Sequence, residues 1–371
     1  MSKTLLVTGG AGFIGSHLAD QLLAEGHHVR VLDTLASQVH GEDADRPSYL
    51  AAEVELLRGD VRDPEALRGA LRGVDGVYHL AAAVGVGQSM YEIAHYTDTN
   101  NLGTARLLEA LIDHRVEKLV VASSMSIYGE GRYVDADGQP VLAARRPRDQ
   151  LRQAQWEVLD ADGRPLVPVA TPEDKAPDLS SVYALSKYDQ ERMCLMVGEA
   201  YDIPVTALRF FNVYGPRQAL SNPYTGVLAI FAARFLNGNP PLIFEDGHQQ
   251  RDFVSVHDIA RALRLAYDTP AATGEVFNIG SGHAWSILEI AERVGHAMGV
   301  DATPEITGNY RVGDIRHCFA DIGHAREVLG YQPQVTLEQG LAELVEWLPG
   351  AAAVDRIGEA RDELARRGLT L

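Results

Sequence analysis

Short apolar runs and amphipathic stretches alternate along the first 210 residues of the chain. The apolar runs of strand length are Thr4–Val7, His28–Asp33, Glu53–Leu57, Gly76–Leu80, Lys118–Ala122 and Val205–Phe210. Helical periodicity fills the intervals to about Ala24, at Pro64–Leu71, at roughly Tyr91–His114 and at Ser181–Tyr201. Strands that alternate with helices in this way predict an α/β fold with a doubly wound parallel sheet.

A glycine-rich turn follows the first of these strands. Gly9, Gly12 and Gly15 recur at every third position and open a helix, so the backbone there can approach a pyrophosphate closely at a positive helix terminus. Asp33 ends the next strand, where a carboxylate can bind a ribose 2′-hydroxyl. Neither Arg nor Lys lies beside it to hold a 2′-phosphate, which favours NAD over NADP. The alternative is a purely structural turn.

The sequence pattern changes after Asn212, where turn-rich segments alternate with shorter predicted helices and strands. We expect residues 1–208 to form a Rossmann-type NAD-binding domain, to which the chain returns at about 252–276. Residues 209–349 would form mainly a smaller α/β substrate lobe. Residues 350–371 carry an Ala- and Arg-rich periodicity that predicts a surface helix or a frayed tail.

An inserted segment, about 131–172, precedes the helix that begins at Ser181. Within it, Asp135–Gly138 and Asp160–Gly163 are both Asp-Ala-Asp-Gly turns flanked by β-formers, which predicts two small hairpins. The alternative, part of a calcium loop, lacks the closing Glu. No metal site is expected.

Tyr183 and Lys187 share a helix face, because they are four residues apart. A lysine ammonium at that distance is expected to lower the pKa of the tyrosine hydroxyl from its usual value of about 10, so that the tyrosine can act as a general base. Ser123 and Ser124 follow the fifth strand, and strand carboxyl ends are where doubly wound folds place their chemistry. The alternative is a surface Tyr–Lys pair.

In combination these motifs resemble the extended short-chain dehydrogenases/reductases of the nucleotide-sugar epimerase/dehydratase family. The resemblance covers roughly residues 3–347 without the insert, through TGGAGFIGSHL at Thr8, HLAA at His79, TNNLGT at Thr99, SSMSIYG at Ser123, YALSK at Tyr183, RFFNVYGPR at Arg209, RDFVSVHDIA at Arg251, NIGSG at Asn278 and RVGD at Arg311. It implies a catalytic triad of Ser124, Tyr183 and Lys187. The cofactor-binding residues it implies, together with the glycine motif, are Gly9, Gly12, Phe13, Ile14, Gly15, Asp33, Asp60, Val61, Leu80, Ala81, Ala82, Asn100, Ser123, Tyr183 and Lys187. The substrate-binding residues it implies are Ser124, Ser126, Asn212, Arg251 and Arg311.

The residues after Ser124 bear on the reaction. Similar 4,6-dehydratases have Asp-Glu there, whereas this chain has Met125-Ser126. Similar decarboxylases have Glu, and 3,5-epimerases have Cys, at the position of Ser126. Serine is too weak an acid or base to deprotonate a carbon beside a ketone. We therefore predict an NAD-dependent nucleotide-sugar 4-epimerase of carbohydrate biosynthesis, which oxidises C4 transiently, lets the 4-keto sugar rotate and returns the hydride.

The sequence leaves more than one possibility open for the substrate and for the class of reaction. The insert resembles that of bacterial dTDP-L-rhamnose 4-epimerases, which suggests that sugar nucleotide, and a UDP-hexose stays open. A nucleotide-4-keto-sugar reductase is the main rival. A 4,6-dehydratase and a non-catalytic dinucleotide sensor are weaker ones, since the sensor tends to lose the Tyr or the Lys.

The composition of the chain argues against some classes of binding partner. The chain has 371 residues with a formal net charge of −18, so nucleic acid and anionic membranes are not expected partners. Its two cysteines, Cys194 and Cys318, and the lack of a long apolar run suit a reducing cytoplasm and predict no membrane span. By family analogy the helices at Asn101–His114 and Ser181–Tyr201 would form a homodimer interface.

Overall fold

The computed structural model of the protein describes residues 2–41, 45–141, 145–222, 224, 226–301, 303–350, 355 and 357–370. A parallel sheet of seven strands, in the order β7-β6-β5-β4-β1-β2-β3, is its centre. The strands are β1 (Thr4–Thr8), β2 (His28–Asp33), β3 (Glu55–Arg58), β4 (Gly76–His79), β5 (Lys118–Ser124), β6 (Val205–Phe210) and β7 (Val276–Ile279). The order reverses between β1 and β4, which opens a crevice at their carboxyl ends. The predicted doubly wound α/β fold is confirmed.

The main helices of the described chain are α1 (Phe13–Ala24), α2 (Pro64–Ala70), α3 (Gly103–Asp113), α4 (Val182–Tyr201), α5 (Val227–Leu236), α6 (Val256–Asp268), α7 (Ile287–Ala297), α8 (Gly323–Leu329), α9 (Leu337–Trp347) and α10 (Ile357–Arg366). Shorter helical segments are Ser37–His40, Val86–Ser89, Ile93–Tyr96, Thr97–Leu102, Met125–Tyr128, Arg148–Arg152, Pro270–Ala272 and Leu348–Gly350. Predicted strand ends differ from these by one or two residues, which is the usual uncertainty at element termini.

Apolar cores cover both faces of the sheet. All seven residues of β5 are buried, as expected of a strand with helices on either side. Leu18 of α1 and Leu263 of α6 belong to the core of one face, whereas Leu107 of α3 and Cys194 of α4 belong to the core of the other. Two elements that follow Asn212 in the chain contact this sheet and its helices, since α6 packs on α1 and β7 pairs with β6; the division into domains stays a prediction.

The second lobe has its own core and only short strands. Phe231 of α5, Ile290 of α7 and Leu341 of α9 are buried together. The strand pairs are Asn212–Tyr214 with Phe253–Ser255, and Leu242–Ile243 with Glu305–Ile306, while Gln250–Arg251 lies between Trp285–Ser286 and His317–Cys318. This lobe faces the carboxyl ends of the main sheet, because Asn212 follows β6 directly.

The insert contains both predicted hairpins, which confirms that prediction. Arg132–Val134 pairs antiparallel with Pro140–Val141 and with Val167–Val169, and a bridge joins Leu159 to Pro165 across the second turn. In each turn the first Asp accepts backbone N–H groups of the turn itself, at 2.8 to 2.9 Å.

A buried group of charges, here called the docking cluster, attaches the insert to the second lobe. The side chain of Arg316 is 1% exposed and lies 2.5 Å from Glu157, 2.9 Å from Glu245 and 2.6 Å from Asp246. Arg146 lies 3.0 Å from Glu245. Glu157 and Arg146 belong to the insert, so the Glu157–Arg316 and Arg146–Glu245 pairs exist only when the insert is docked.

The long helix predicted at roughly Tyr91–His114 is interrupted, and that prediction was wrong in this respect. The backbone is α-helical at Ile93–Tyr96, π-helical at Thr97–Leu102 and α-helical again in α3. The π-helical turn turns Asn100 inward, where its side chain is bonded to Ala83. Such turns are rare and are found mostly at functional sites.

The C-terminal tail is not frayed where it is described. Helix α10 buries Leu364, which is 6% exposed, and the N–H of Val312 donates to the carbonyl of Leu369 at 2.9 Å. Arg311 and Thr370 form an antiparallel bridge. The tail is therefore docked on the second lobe, and the frayed alternative is wrong for these residues.

Candidate active site

The glycine turn after β1 is closed on one side and open on the other. Gly9 has φ +69°, and a Cβ there would lie 2.9 Å from the backbone of Ala81. A Cβ on Gly15 would lie 2.5 Å from Gly10. A Cβ on Gly12 would meet only the carbonyl of Gly9, at 3.4 Å. The turn thus packs on β4 and leaves a cradle at Gly12, where α1 begins with Phe13 and Ile14. That shape fits a dinucleotide pyrophosphate.

Asp33 is held by the same turn. Its carboxylate accepts the N–H of Ala11 at 3.0 Å and that of Leu35 at 2.9 Å. Tyr49 donates to the carbonyl of Ala11 at 2.9 Å, and His40 lies 4.0 Å from Asp33. His40 ends the short helical segment Ser37–His40 and Tyr49 lies in the loop after it; neither belongs to a recognisable motif, so sequence reasoning missed both.

Asp60 and Val61 follow β3. The carboxylate of Asp60 binds the guanidinium of Arg62 at 2.6 and 3.0 Å, and this hydrogen bonding lowers its pKa. Val61 is 5% exposed and packs at Gly103. Both lie at the carboxyl edge of the sheet, and contact of either residue with a base stays a prediction.

Asn100 ties three elements together. Its Oδ1 accepts the N–H of Ala83 at 2.7 Å, while its Nδ2 donates to the carbonyl of Ala83 at 3.1 Å and to the hydroxyl of Ser186 at 2.9 Å. Leu80, Ala81 and Ala82 lie between β4 and this contact. Asn100 therefore fixes the loop beneath the glycine turn relative to α4.

The Ser123 side chain is directed away from the crevice. Its hydroxyl donates to Glu191 at 2.6 Å, and Glu191 binds Arg209 in a buried ion pair with a distance of 2.7 Å. The carboxylate of Glu191 thus engages this hydroxyl, and contact of Ser123 with a cofactor stays a prediction.

Ser124, Tyr183 and Lys187 converge at the end of β5 and the start of α4. Ser181 caps this helix by accepting the N–H of Ala184. The hydroxyl of Ser124 is hydrogen-bonded to that of Tyr183 and accepts the hydroxyl of Ser126 at 2.9 Å. The three hydroxyls form a chain that runs from the triad to the neighbouring cavity.

The electrostatics of Tyr183 differ from expectation. Burial raises its pKa, and the hydrogen bond with Ser124 offsets this only in part. The Nζ of Lys187 donates to Gln190 at 2.8 Å, and burial lowers the pKa of Lys187 to about 8. The expected lowering of the pKa of Tyr183 by Lys187 is therefore wrong for this arrangement, in which burial raises the pKa and Ser124 is the group that opposes this.

A cavity of about 310 Å³ lies between the triad and the second lobe. Ser126, Asn212, Arg251 and Arg311 border it, together with Leu242, Ile243 and Phe244. Its size and mixed lining are typical of a small-molecule site. A larger, shallower groove of about 790 Å³ between Asp20 and Trp347 contains none of the predicted site residues.

The two predicted arginines are differently engaged. Arg251 donates to the carbonyls of Gln250 and Arg316, both at 2.8 Å, and of Ile315 at 2.5 Å, and burial lowers its pKa. Arg311 binds Asp314 at 2.8 Å and lies over the ring of Phe244 at 4.5 Å.

The sequence did not predict that the tail borders this cavity. Five of its residues line it, namely Ile357, Ala360, Arg361, Leu364 and Leu369. The helical periodicity of the tail was visible, but the surface that it covers was not. The insert, by contrast, contributes no lining residue among those described at 131–141 and 145–172. In the part of the chain with described coordinates, no helix is both long enough and apolar enough to span a membrane.

Known proteins share this architecture. Residues 5–148 and 161–280 match the model of the NAD dependent epimerase/dehydratase family. A dTDP-L-rhamnose 4-epimerase of Burkholderia thailandensis is 37% identical over 358 residues, which cover 95% of this chain and 96% of that protein. The crystal structure of a Thermotoga maritima UDP-glucose 4-epimerase with UDP-glucose is 33% identical, with a TM-score of 0.77 and coverage of 94% and 99%. A Thermus thermophilus UDP-glucose 4-epimerase in complex with NAD is 32% identical, with a TM-score of 0.75 and coverage of 94% and 100%.

Proposed function

The chain belongs to the NAD dependent epimerase/dehydratase family, and on that basis we propose that it inverts C4 of a nucleotide-bound sugar with NAD as its cofactor. The predictions of an NAD-dependent nucleotide-sugar 4-epimerase and of an isomerase are confirmed by relatives that carry such names and by their complexes. The observation that carries the proposal is the convergence of Ser124, Tyr183 and Lys187 beside a cavity that their chain neighbours Met125, Ser126 and Ser181 line.

Each residue of the triad has a role in this reaction. Tyr183 accepts the proton of the sugar C4 hydroxyl and later returns it, and Ser124 holds that oxygen through the hydrogen bond that it shares with Tyr183. Because burial raises the pKa of Tyr183, the phenolate depends on positive charge nearby, and Lys187 is the lysine one turn along α4.

The residues around the glycine turn suit NAD. Gly9 and Gly15 let the turn pack closely, Gly12 leaves room for the pyrophosphate, and the N–H groups of Phe13 and Ile14 at the start of α1 would face it. Asp33, fixed by two N–H donors, accepts a ribose hydroxyl, and Asn100 holds the loop from Leu80 to Ala82. NAD supplies the hydride acceptor and donor when bound.

The cavity chemistry favours epimerisation over loss of water. Among the described residues that line it, Asp314 is the single carboxylate, and it is paired with Arg311. Met125 and Ser126 occupy the positions after Ser124, so an acid and a base for removal of water are missing from this lining. Oxidation at C4 and hydride return need only the triad and NAD.

The proposed substrate is dTDP-L-rhamnose. The relative at 37% identity bears that name, and the insert resembles the same group of enzymes. Arg251 and Arg311 are proposed to hold the diphosphate, Asn212 the region next to it and Ser126 the sugar, since each borders the cavity. Phe244 lies beside Arg311, so the nucleobase is placed at that end.

The test is a substrate panel without added cofactor. The purified chain is incubated with dTDP-rhamnose, UDP-glucose, UDP-galactose, UDP-N-acetylglucosamine, UDP-glucuronate and GDP-mannose, and the products are read by NMR. A mixture of C4 epimers from dTDP-rhamnose is expected. Turnover of a 4-keto sugar only after NAD(P)H is supplied would move the chain to the reductases.

Tyr183→Phe is the matched catalytic variant. It keeps the ring and removes the hydroxyl, so turnover should be lost while NAD binding, measured by fluorescence, stays within about twofold. Full activity in this variant would contradict the role given to Tyr183.

We also propose the domain division and the setting of the enzyme. Residues 1–208 with the returning segment bind NAD, and 209–349 bind the nucleotide sugar.

Leu102, Leu185 and Met196 are apolar and 42%, 45% and 53% exposed on or beside α3 and α4, which supports a homodimer through these helices. Cys194 and Cys318 are both free and buried, which suits the cytoplasm. Sedimentation of the full chain tests the dimer.

A further inference from the structure

Helix α10 brings a third arginine to the substrate cavity. Ile357, Ala360, Arg361 and Leu364 all border it, and their spacing of three, four and seven residues places them on one face of the helix. The other charged residues of the described lining are Arg251, Arg311 and Asp314. The tail therefore contributes one of the few charges at this site.

The segment is held on both sides of the cavity. Asp355 lies 3.2 Å from Arg234 of α5, and the carbonyl of Leu369 accepts the N–H of Val312, both in the second lobe. On the side of the NAD domain, the guanidinium of Arg367 lies 4.3 Å from the ring centre of Tyr91. Because these contacts join both sides, α10 has a fixed position over the cavity.

Leu364 brings the helix close to the sugar end. Its methyl groups lie 3.5 and 3.7 Å from the place where a Cβ on Gly87 would be. Gly87 lines the same cavity as Ser126, which is bonded to Ser124 of the triad. The apolar face of α10 is thus a wall of the pocket next to the reacting end.

Arg361 is less engaged than the other two arginines. Arg251 donates to three carbonyls, and Arg311 binds Asp314. Arg361 has Asp362 as its polar contact among the described residues, at 3.4 Å from both Nε and Nη2, with side chains that are 47% and 67% exposed. A neighbouring pair at that distance in water contributes little to stability. Its guanidinium is available to a ligand.

We propose that Arg361 is a substrate-binding residue that hydrogen-bonds the diphosphate of the nucleotide sugar, from a helix that forms one wall of the pocket. The inference deepens the proposed function, since it assumes a nucleoside diphosphate in this cavity. Guanidinium groups match phosphate oxygens in geometry, and a chain of net charge −18 needs such local cations to bind an anion.

The test compares Arg361→Gln with Arg366→Gln in the full chain. Arg366 lies on the same helix, is 74% exposed, pairs with Glu363 and does not border the cavity, so its variant removes the same charge elsewhere. Calorimetry measures the binding of dTDP and of thymidine to each. For R361Q we expect about tenfold weaker dTDP binding, unchanged thymidine binding and a KM about tenfold higher at a kcat within twofold. R366Q should match the unaltered chain.

Two results would overturn the inference: dTDP binding by R361Q within twofold of that by R366Q, or a loss of thymidine binding in R361Q equal to its loss of dTDP binding. The two proposals fail separately. If the panel yields no C4 epimer but R361Q alone binds dTDP weakly, the proposed reaction is wrong and the role of Arg361 stands. If epimers form and R361Q binds dTDP normally, the reverse holds.

Discussion

The buried pair of Arg209 and Glu191 joins the triad region to the core of the sheet. The guanidinium donates to both oxygens of Glu191, at 2.9 and 2.7 Å, and also to the hydroxyl of Tyr128 at 2.8 Å. Glu191 lies one turn after Lys187 and accepts the hydroxyl of Ser123. The change considered is Arg209→Met, which keeps an unbranched, though shorter, apolar side chain and removes the charge.

The expected cost follows from burial. Glu191 is fully buried, so the variant leaves an uncompensated carboxylate in the core, and breaking such a pair costs roughly 3–5 kcal/mol of the free energy of unfolding. Arg209→Met with Glu191→Leu removes both charges and should recover most of the loss.

Urea unfolding followed by circular dichroism measures these differences, with the midpoint and the slope reported separately. The control is Arg106→Met, which breaks an exposed pair with Glu109 on α3 and should cost at most about 1 kcal/mol. If Arg209→Met costs no more than Arg106→Met, or if the double variant is less stable than the single one, the reasoning about a buried, mutually dependent pair is refuted.

Three further predictions concern the cradle and the two lobes. Gly12→Ala should leave the unfolding midpoint nearly unchanged, because φ of Gly12 is −75° and a Cβ there meets only one carbonyl. It should weaken NAD binding at least tenfold, because the added methyl group fills the cradle. Unchanged NAD affinity in a titration would show that the pyrophosphate lies elsewhere. Lys187 has a pKa of about 8 in the folded protein and 10.5 in the unfolded chain, so it destabilises the protein fully below pH 8 and less as the pH rises to 10.5. In urea unfolding without cofactor, the unaltered chain should therefore gain stability relative to Lys187→Met over this pH range. Parallel curves of stability against pH for the two proteins would contradict this. The hydrogen bond from His317 and the charge of Arg316 lower the pKa of Glu157 to about 2, so the stability that Glu157 contributes is complete above its ordinary pKa of 4.5 and is lost as the pH falls toward 2. Glu157→Gln should therefore be less stable than the unaltered chain at pH 6 and equally stable near pH 2. A difference in stability that stays constant with pH would refute this.

The sequence was sufficient wherever a local pattern fixes the structure. Residues close together in the chain predict the glycine turn with Asp33, the doubly wound parallel sheet and both Asp-Gly hairpins. All three features are found in the structure. The family motifs located Ser124, Tyr183 and Lys187, which do converge.

Contacts between distant segments could not be predicted in this way. Ser123 faces Glu191 because α4 docks on β5, and the Asn100 side chain turns inward through a π-helical turn that its polar neighbours do not reveal. The lowered pKa expected for Tyr183 assumed that Lys187 dominates, whereas burial does. The tail over the cavity depends on which surface α10 covers, and periodicity alone cannot supply that.

The docking cluster has a consequence for modularity. A graft of residues 131–172 alone would separate Arg146 from Glu245 and Glu157 from Arg316, and removal of the insert here would leave Arg316 with Glu245 and Asp246. The insert is therefore not interchangeable by itself. A transplant that keeps these ion pairs has to include positions 245, 246 and 316, which lie far from the insert in the sequence.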